Sequence, residues 1–254
     1  MKHARFVAGG RVRQGRLNEA GDRLVDGSGQ AFALDQVTFL PPVSPGTVVG
    51  LALNFADHAT ELALDQPEEP TLFFKPVSSL IGHLAPIHYP PGAAFVHYEA
   101  ELAVVIGKSA RRISAGHALD VVAGYTVAND VTVRDYIKNL FRPPVRAKGW
   151  DTFGPLGPYL VDRDDIADCG QLEVTTTVNG EVRQRGNTRD LVHGVPDLIE
   201  FITSFMTLEA GDVILTGTPK GIMPVGIGDV ICCEVAGVGR LENQVVAEPG
   251  GEAQ

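Results

Sequence analysis

The sequence predicts a β-rich α+β fold with a small β appendage at its N-terminus, and three observations predict it. Short apolar runs rich in β-branched residues recur along the chain, at residues 48–53, 101–106, 121–127, 213–215 and 230–235, the pattern of buried strands. Asn179-Gly180 separates two further runs, 172–178 and 181–184, and is the two-residue signature of a type I′ hairpin. Against these strands stands one well-marked amphipathic helix. Pro196 suits its first turn, and Leu198, Phe201, Ile202 and Phe205 recur at helical spacing before Gly211.

The remaining elements follow in order. Phe6-Val7-Ala8 before Gly9-Gly10, and Arg23-Leu24-Val25 before Asp26-Gly27, read as short strands closed by tight turns. Pro41, Pro42 and Pro45 then interrupt regular structure, so residues 1–45 are expected to form the appendage and residues 46–254 the main domain. Residues 54–62 read as a short helix with Asn54 as N-cap. Residues 72–74 form another strand, and Pro86, Pro90, Pro91 and Gly92 make a long loop.

Composition narrows the function classes. The chain of 254 residues is 44% hydrophobic and 20% charged, which describes a globular protein and neither a disordered nor a fibrous one. Its formal charge of -10 argues against a nucleic-acid partner, since such proteins carry a basic face. The first 16 residues lack a signal-peptide apolar stretch, and no apolar run nears the length that spans a bilayer; a cytoplasmic location is expected. Cys169, Cys232 and Cys233 have no C-x-x-C spacing, so neither a disulfide framework nor a thiolate zinc site is indicated. Cys232 and Cys233 are expected to pack in the core.

Three carboxylates form the first candidate cluster. Glu99 and Glu101 lie two apart, so an extended chain puts them on one face, which continues as Ala103 and Val105. Such a face runs either along a solvated strand edge or from a pocket mouth into a core, where the two charges would repel unless a cation sat between them. Asp130 follows the apolar run at 121–129, either as a turn residue or as a group projecting from a strand end. Oxygen donors without Cys or a His pair suit Mg²⁺ or Mn²⁺. His58 and Glu61, three apart in the expected helix, form either an exposed surface pair or a proton-moving pair. Lys75 and Lys148 are either solvated surface groups or partners for substrate carboxylates.

Taken together, the motifs resemble one family. Asn54-Phe55-Ala56-Asp57-His58, Phe74-Lys75-Pro76, Tyr98-Glu99-Ala100-Glu101-Leu102, Asn129-Asp130-Val131-Thr132-Val133-Arg134-Asp135, the stretch 148–158 and Leu215-Thr216-Gly217-Thr218-Pro219 occur in the order seen in the fumarylacetoacetate hydrolase superfamily, over roughly residues 47–246. Arg134-Asp135-Tyr136, Phe141-Arg142-Pro143, Val178-Asn179-Gly180, Gln184-Arg185-Gly186-Asn187 and Phe205-Met206-Thr207-Leu208 are similar to its homoprotocatechuate-pathway branch. That branch decarboxylates 5-oxopent-3-ene-1,2,5-tricarboxylate and isomerises 2-hydroxyhepta-2,4-diene-1,7-dioate.

The resemblance implies a mixed β-roll like the family's C-terminal domain. It implies metal ligands at Glu99, Glu101 and Asp130 for Mg²⁺ or Mn²⁺, with Lys148 near metal and substrate, Lys75 among the catalytic groups, and Arg142 and Thr218 binding substrate. His58 and Glu61 match the dyad of the family's lid segment. The implied reaction is decarboxylation or isomerisation of a small anionic 2-oxo or 2-hydroxy-diene acid through a metal-stabilised enolate. Leu53 stands where many hydrolase members have a basic residue, which favours this branch over hydrolysis of an acylpyruvate C–C bond or oxaloacetate decarboxylation. Some relatives fuse two such units, so this chain is expected to pair as a homodimer or with a sister subunit, in which a non-catalytic partner role is the remaining alternative.

Overall fold

The structure is a computed structural model and describes residues 1–61, 67–137 and 143–250, without the side chains of residues 58 and 59. The chain opens with strands β1 (Lys2–Ala8), β2 (Arg11–Leu17), β3 (Arg23–Asp26), β4 (Ala31–Ala33) and β5 (Thr38–Leu40). There follow β6 (Val48–Ala52), helix α1 (Ala56–Glu61), β7 (Thr71–Lys75), β8 (Leu80–Ile81), β9 (Ile87–Tyr89), β10 (Val96–His97), β11 (Ala100–Ile106), β12 (Val122–Asn129) and β13 (Thr132–Val133). The last part contains α2 (Val145–Lys148), β14 (Gly154–Asp162), β15 (Glu173–Val178), β16 (Glu181–Asn187), α3 (Val195–Phe205), β17 (Val213–Leu215), β18 (Val230–Val235) and β19 (Gly239–Ala247). The strand-rich character read from the sequence is the observed one.

Among the described residues a 12-stranded mixed sheet runs β4-β3-β2-β1-β14-β12-β11-β17-β6-β7, with β5 on β1 and β8 on β14. A second sheet, β16-β15-β18-β19-β9, packs its β15 and β18 against β11 and β12 of the first. This layering explains β11, whose seven residues are all buried. Successive side chains of a strand alternate between faces. Ala100, Leu102, Val104 and Ile106 therefore enter the large core with Val174, Ile231, Cys233 and Leu241. Ala103 and Val105 enter a smaller core with Val48, Ala128, Leu156, Val213 and Leu215. Glu101 begins this second face.

The N-terminal strands share an apolar cluster of Ala4, Phe6, Ala8, Leu24 and Phe39, and β1 joins the large sheet by pairing antiparallel with β14. The Asn179-Gly180 turn has both residues at positive φ, 52° and 83°, as a type I′ turn requires, and it joins β15 to β16. α3 has Pro196 in its first turn and buries Val195, Leu198, Ile199 and Ile202. Cys232 and Cys233 are buried. Among the described residues no helix is long and apolar enough to cross a membrane.

Asn54 differs from its expected capping role. α1 starts at Ala56, and the buried Asn54 carboxamide instead donates to the carbonyls of His193 (3.1 Å) and Thr216 (2.8 Å) and accepts the His193 N–H (2.9 Å). A buried backbone group without a partner costs free energy comparable to a lost hydrogen bond, and one carboxamide here satisfies three. Leu53 just before it adopts φ 59°, left-handed backbone that is uncommon for such a side chain.

Candidate metal centre and active site

β11 and β12 pair antiparallel, with Ala100 opposite Asn129 and Glu101 opposite Ala128. The start of one strand thus lies beside the end of the other. The Asp130 N–H donates to the Glu99 carbonyl (2.9 Å), and the Asn129 carboxamide accepts the Glu99 N–H (3.0 Å). Glu99, Glu101 and Asp130 consequently converge, each offering a carboxylate oxygen within 4.8 Å of the others, and all three are buried. The solvated-edge and turn readings of these residues do not hold, because Glu101 and Asp130 have no exposed surface.

Two lysines answer the charge. Lys148, at the end of α2, donates from Nζ to Glu99 Oε2 (2.9 Å), Asp130 Oδ2 (2.5 Å) and Thr132 Oγ1 (2.8 Å), and it lies 4.8 Å above the Phe73 ring. Lys75, at the end of β7, donates to Asp130 Oδ1 (2.6 Å) and the Lys148 carbonyl (2.7 Å). Both are buried, so the surface reading of these lysines fails. Burial alone would lower the Lys148 ammonium, but Asp130 and Glu99 outweigh it and its pKa is raised. For Lys75 burial is the larger influence and lowers the pKa against the pull of Asp130.

Glu101 is the least satisfied member. Oε2 accepts the Gly217 N–H (2.5 Å), whereas Oε1 is buried with no hydrogen-bond partner. Burial, followed by the charges of Asp130 and Glu99, pushes its carboxyl well above the usual range. With all groups ionised, three carboxylates face two ammonium groups, one negative charge in excess. A hard divalent cation would fit this donor set: Glu99, Glu101 and Asp130 would hold it, the orphaned Glu101 oxygen would gain a partner, and its charge would favour the ionised form of Glu101. His97, buried beside Glu99 with Nδ1 3.5 Å from Oε1, is held at about 4 by burial and is neutral near pH 7.

The other expected residues are placed as follows. Thr218 is buried, one residue beyond Gly217, and its Oγ1 accepts from Gln184 Nε2 (2.9 Å). Glu61, on α1, accepts the Gly221 N–H (3.0 Å), which ties α1 to the loop carrying Thr218. The His58 side chain and Arg142 lie outside the described residues. Sequence reasoning gave no role to Gln184, Thr132 or His97. Each lies inside a motif quoted for the resemblance or directly before one, but their contacts depend on register and loop geometry that the motifs do not encode.

A cluster of buried acids and lysines at the adjoining ends of two core strands defines the class: a mixed β-roll with a buried acidic triad that could hold a metal ion. Residues 47–246 match the family described as fumarylacetoacetate (FAA) hydrolase C-terminal, and the chain belongs to that family. It is 47% identical over 217 residues to the 4-hydroxyphenylacetate degradation bifunctional isomerase/decarboxylase of Salmonella dublin, covering 85% of this chain and 51% of that one. The chain spans about half the length of the first curated relatives it matches. Among solved structures, the 5-carboxymethyl-2-hydroxymuconate delta-isomerase of Mycobacterium smegmatis is similar at TM-score 0.89 and 38% identity, over 99% of this chain and 100% of that one. The maleylpyruvate hydrolase of Sphingobium sp. SYK-6, in complex with manganese (II) ion and pyruvate, is similar at TM-score 0.83 and 31% identity, over 97% and 99%.

Proposed function

We propose that this chain is a Mg²⁺-dependent enzyme, with Mn²⁺ as a substitute, that decarboxylates or isomerises an open-chain 2-oxo or 2-hydroxy-diene di- or tricarboxylate of aromatic catabolism. The observation that carries the reading is the buried, incompletely satisfied cluster of Glu99, Glu101 and Asp130. The isomerase/decarboxylase name of a 47% identical relative supports the reaction class. Glu99, Glu101 and Asp130 would hold the ion, which supplies Lewis acidity to the 2-oxo acid end of the substrate.

The protein groups divide the remaining work. Lys75, with its ammonium committed to Asp130 and the Lys148 carbonyl, holds the Asp130 side chain in place. Lys148 is the positive group beside both Glu99 and Asp130 and is suited to neutralise a substrate carboxylate. When the C–C bond to a leaving CO₂ breaks, its electron pair passes into the conjugated 2-oxo acid and a proton must then be added at carbon. The same protonation completes isomerisation of a dienol. Lys75 is fully enclosed, so His58 with Glu61 takes that proton transfer in this reading, and Arg142 and Thr218 bind the distal and proximal anionic groups. A second copy or a sister subunit completes the assembly.

The test is ultraviolet monitoring of diene loss together with CO₂ release by the purified chain, with Mg²⁺ and after exhaustive chelation. Turnover that survives chelation refutes the reading. The maleylpyruvate hydrolase likeness favours one alternative, hydrolysis of an acylpyruvate C–C bond. Faster turnover of an acylpyruvate than of the diene-dioate would establish it.

A further inference from the structure

Gln184 is the one buried position of β16, at 1% exposure, and both ends of its carboxamide are used. Oε1 accepts from the Ala100 N–H (3.2 Å) and the Thr176 hydroxyl (2.7 Å), while Nε2 donates to the Pro219 carbonyl (2.7 Å) and to Thr218 Oγ1 (2.9 Å). The orientation of this amide is fixed, because a backbone N–H only donates and a carbonyl only accepts. Thr218 therefore accepts from Gln184, and its own O–H proton is left to donate. Among the described residues no acceptor takes that proton.

Thr218 directly follows Gly217, whose N–H reaches Glu101, so the residue with the available donor is the chain neighbour of a group that touches the acidic cluster. A hydroxyl free to rotate can present either a lone pair or a proton, and a lone pair would repel an anion. We propose that Gln184 is a positioning residue that locks Thr218 as a hydrogen-bond donor to an anionic oxygen of the substrate, a carboxylate or 2-oxo oxygen. This rests on the functional reading above. Gln184 also braces the strand between Glu99 and Glu101 through Ala100, and the two roles are separable by experiment.

Gln184→Glu keeps the shape and replaces the donor by an acceptor; Gln184→Met removes both without adding charge. Calorimetry with oxalate, a planar stand-in for a 2-oxo acid, is performed on the Mn²⁺-loaded protein, and Mn²⁺ affinity is measured separately by electron paramagnetic resonance. Each variant is expected to bind oxalate about tenfold or more weakly with Mn²⁺ affinity within about twofold of wild type. Thr218→Val should show a similar loss, and either Gln184 substitution added to Thr218→Val should cost nothing further. Equal losses in both backgrounds, or oxalate and Mn²⁺ affinities falling by the same factor, overturn the proposal and leave Gln184 as a brace for the strand. Wild-type protein that binds neither Mn²⁺ nor oxalate sinks the functional reading itself, and this proposal with it.

Discussion

Glu101 concentrates the electrostatic problem of the site in one side chain. Its Oε1 has no partner and its carboxyl is pushed upward by burial and by two neighbouring acids. Glu101→Gln removes the charge at nearly constant shape. Divalent-ion affinity is expected to fall about a hundredfold or more with loss of turnover, while the melting temperature in chelator stays at or above wild type, because a carboxyl whose ionisation its surroundings oppose is replaced by a neutral amide of the same shape. A marked drop in that melting temperature would mean the carboxylate serves the fold instead. Asp26 shows the opposite environment, far from the cluster. The Ser28 hydroxyl, followed by Arg13 and the N–H groups of Ser28 and Gln30, holds it at about 2, below its ordinary 3.8. A depressed pKa means stability that is complete above 3.8 and lost as pH falls through 2. Asp26→Asn is therefore expected to melt earlier at neutral pH, and the gap to wild type should close between pH 3.8 and 2 in a pH series of thermal melts.

At the scale of elements, α3 ends on a guanidinium. Arg111 donates to the carbonyls of Thr203, Ser204 and Phe205 (2.5, 2.6 and 3.2 Å), the groups that the last turn of a helix leaves unpaired and where its dipole favours positive charge. Arg111→Ala is expected to cost about 1 kcal/mol, roughly 2–4 °C in a domain of this size, with divalent-ion affinity unchanged; an unaltered melt would show that solvent serves those carbonyls equally well. Periodicity and turn chemistry made most elements legible: β6, β11, β12, the Asn179-Gly180 hairpin and α3 were readable from apolar runs and from residues whose backbone preferences are strong. β14 was not. It lies in the middle of the sheet between β1 and β12, yet it contains Pro155 and Pro158, which argue against a central strand on local grounds. Irregular register against β12 between Tyr125 and Val127 accommodates what propensity disfavours. In the site, the spacing of Glu99 and Glu101 was informative because a strand has period two. Asp130 needed the β11 and β12 pairing, and Gln184 needed the register shift at Thr176 and Thr177, neither of which is written in a local pattern.

For the whole molecule, the cluster joins β7, β11, the end of β12, β13 and α2 through contacts of Lys75, Glu101, Asp130, Thr132 and Lys148. A ligand that binds only the folded protein stabilises it by mass action. Mg²⁺ at a hundred times its dissociation constant is thus expected to add about 2.7 kcal/mol, several degrees in scanning calorimetry, and EDTA should reverse it. Absence of any shift would mean that the folded protein does not bind the ion in preference to the unfolded chain.

The fully buried β11 carries one more consequence. Residues enclosed on both sides of a layered interior are hard to replace without disturbing packing, so the pair of acids attached to this strand is anchored against evolutionary drift. The exposed loops of the chain tolerate change more readily. A lineage built this way can exchange one organic acid for another by altering its rim while the interior stays constant. Solved relatives with the names isomerase and hydrolase, both superimposing on this chain at TM-scores of 0.83 or above, are what that division of mutability would produce.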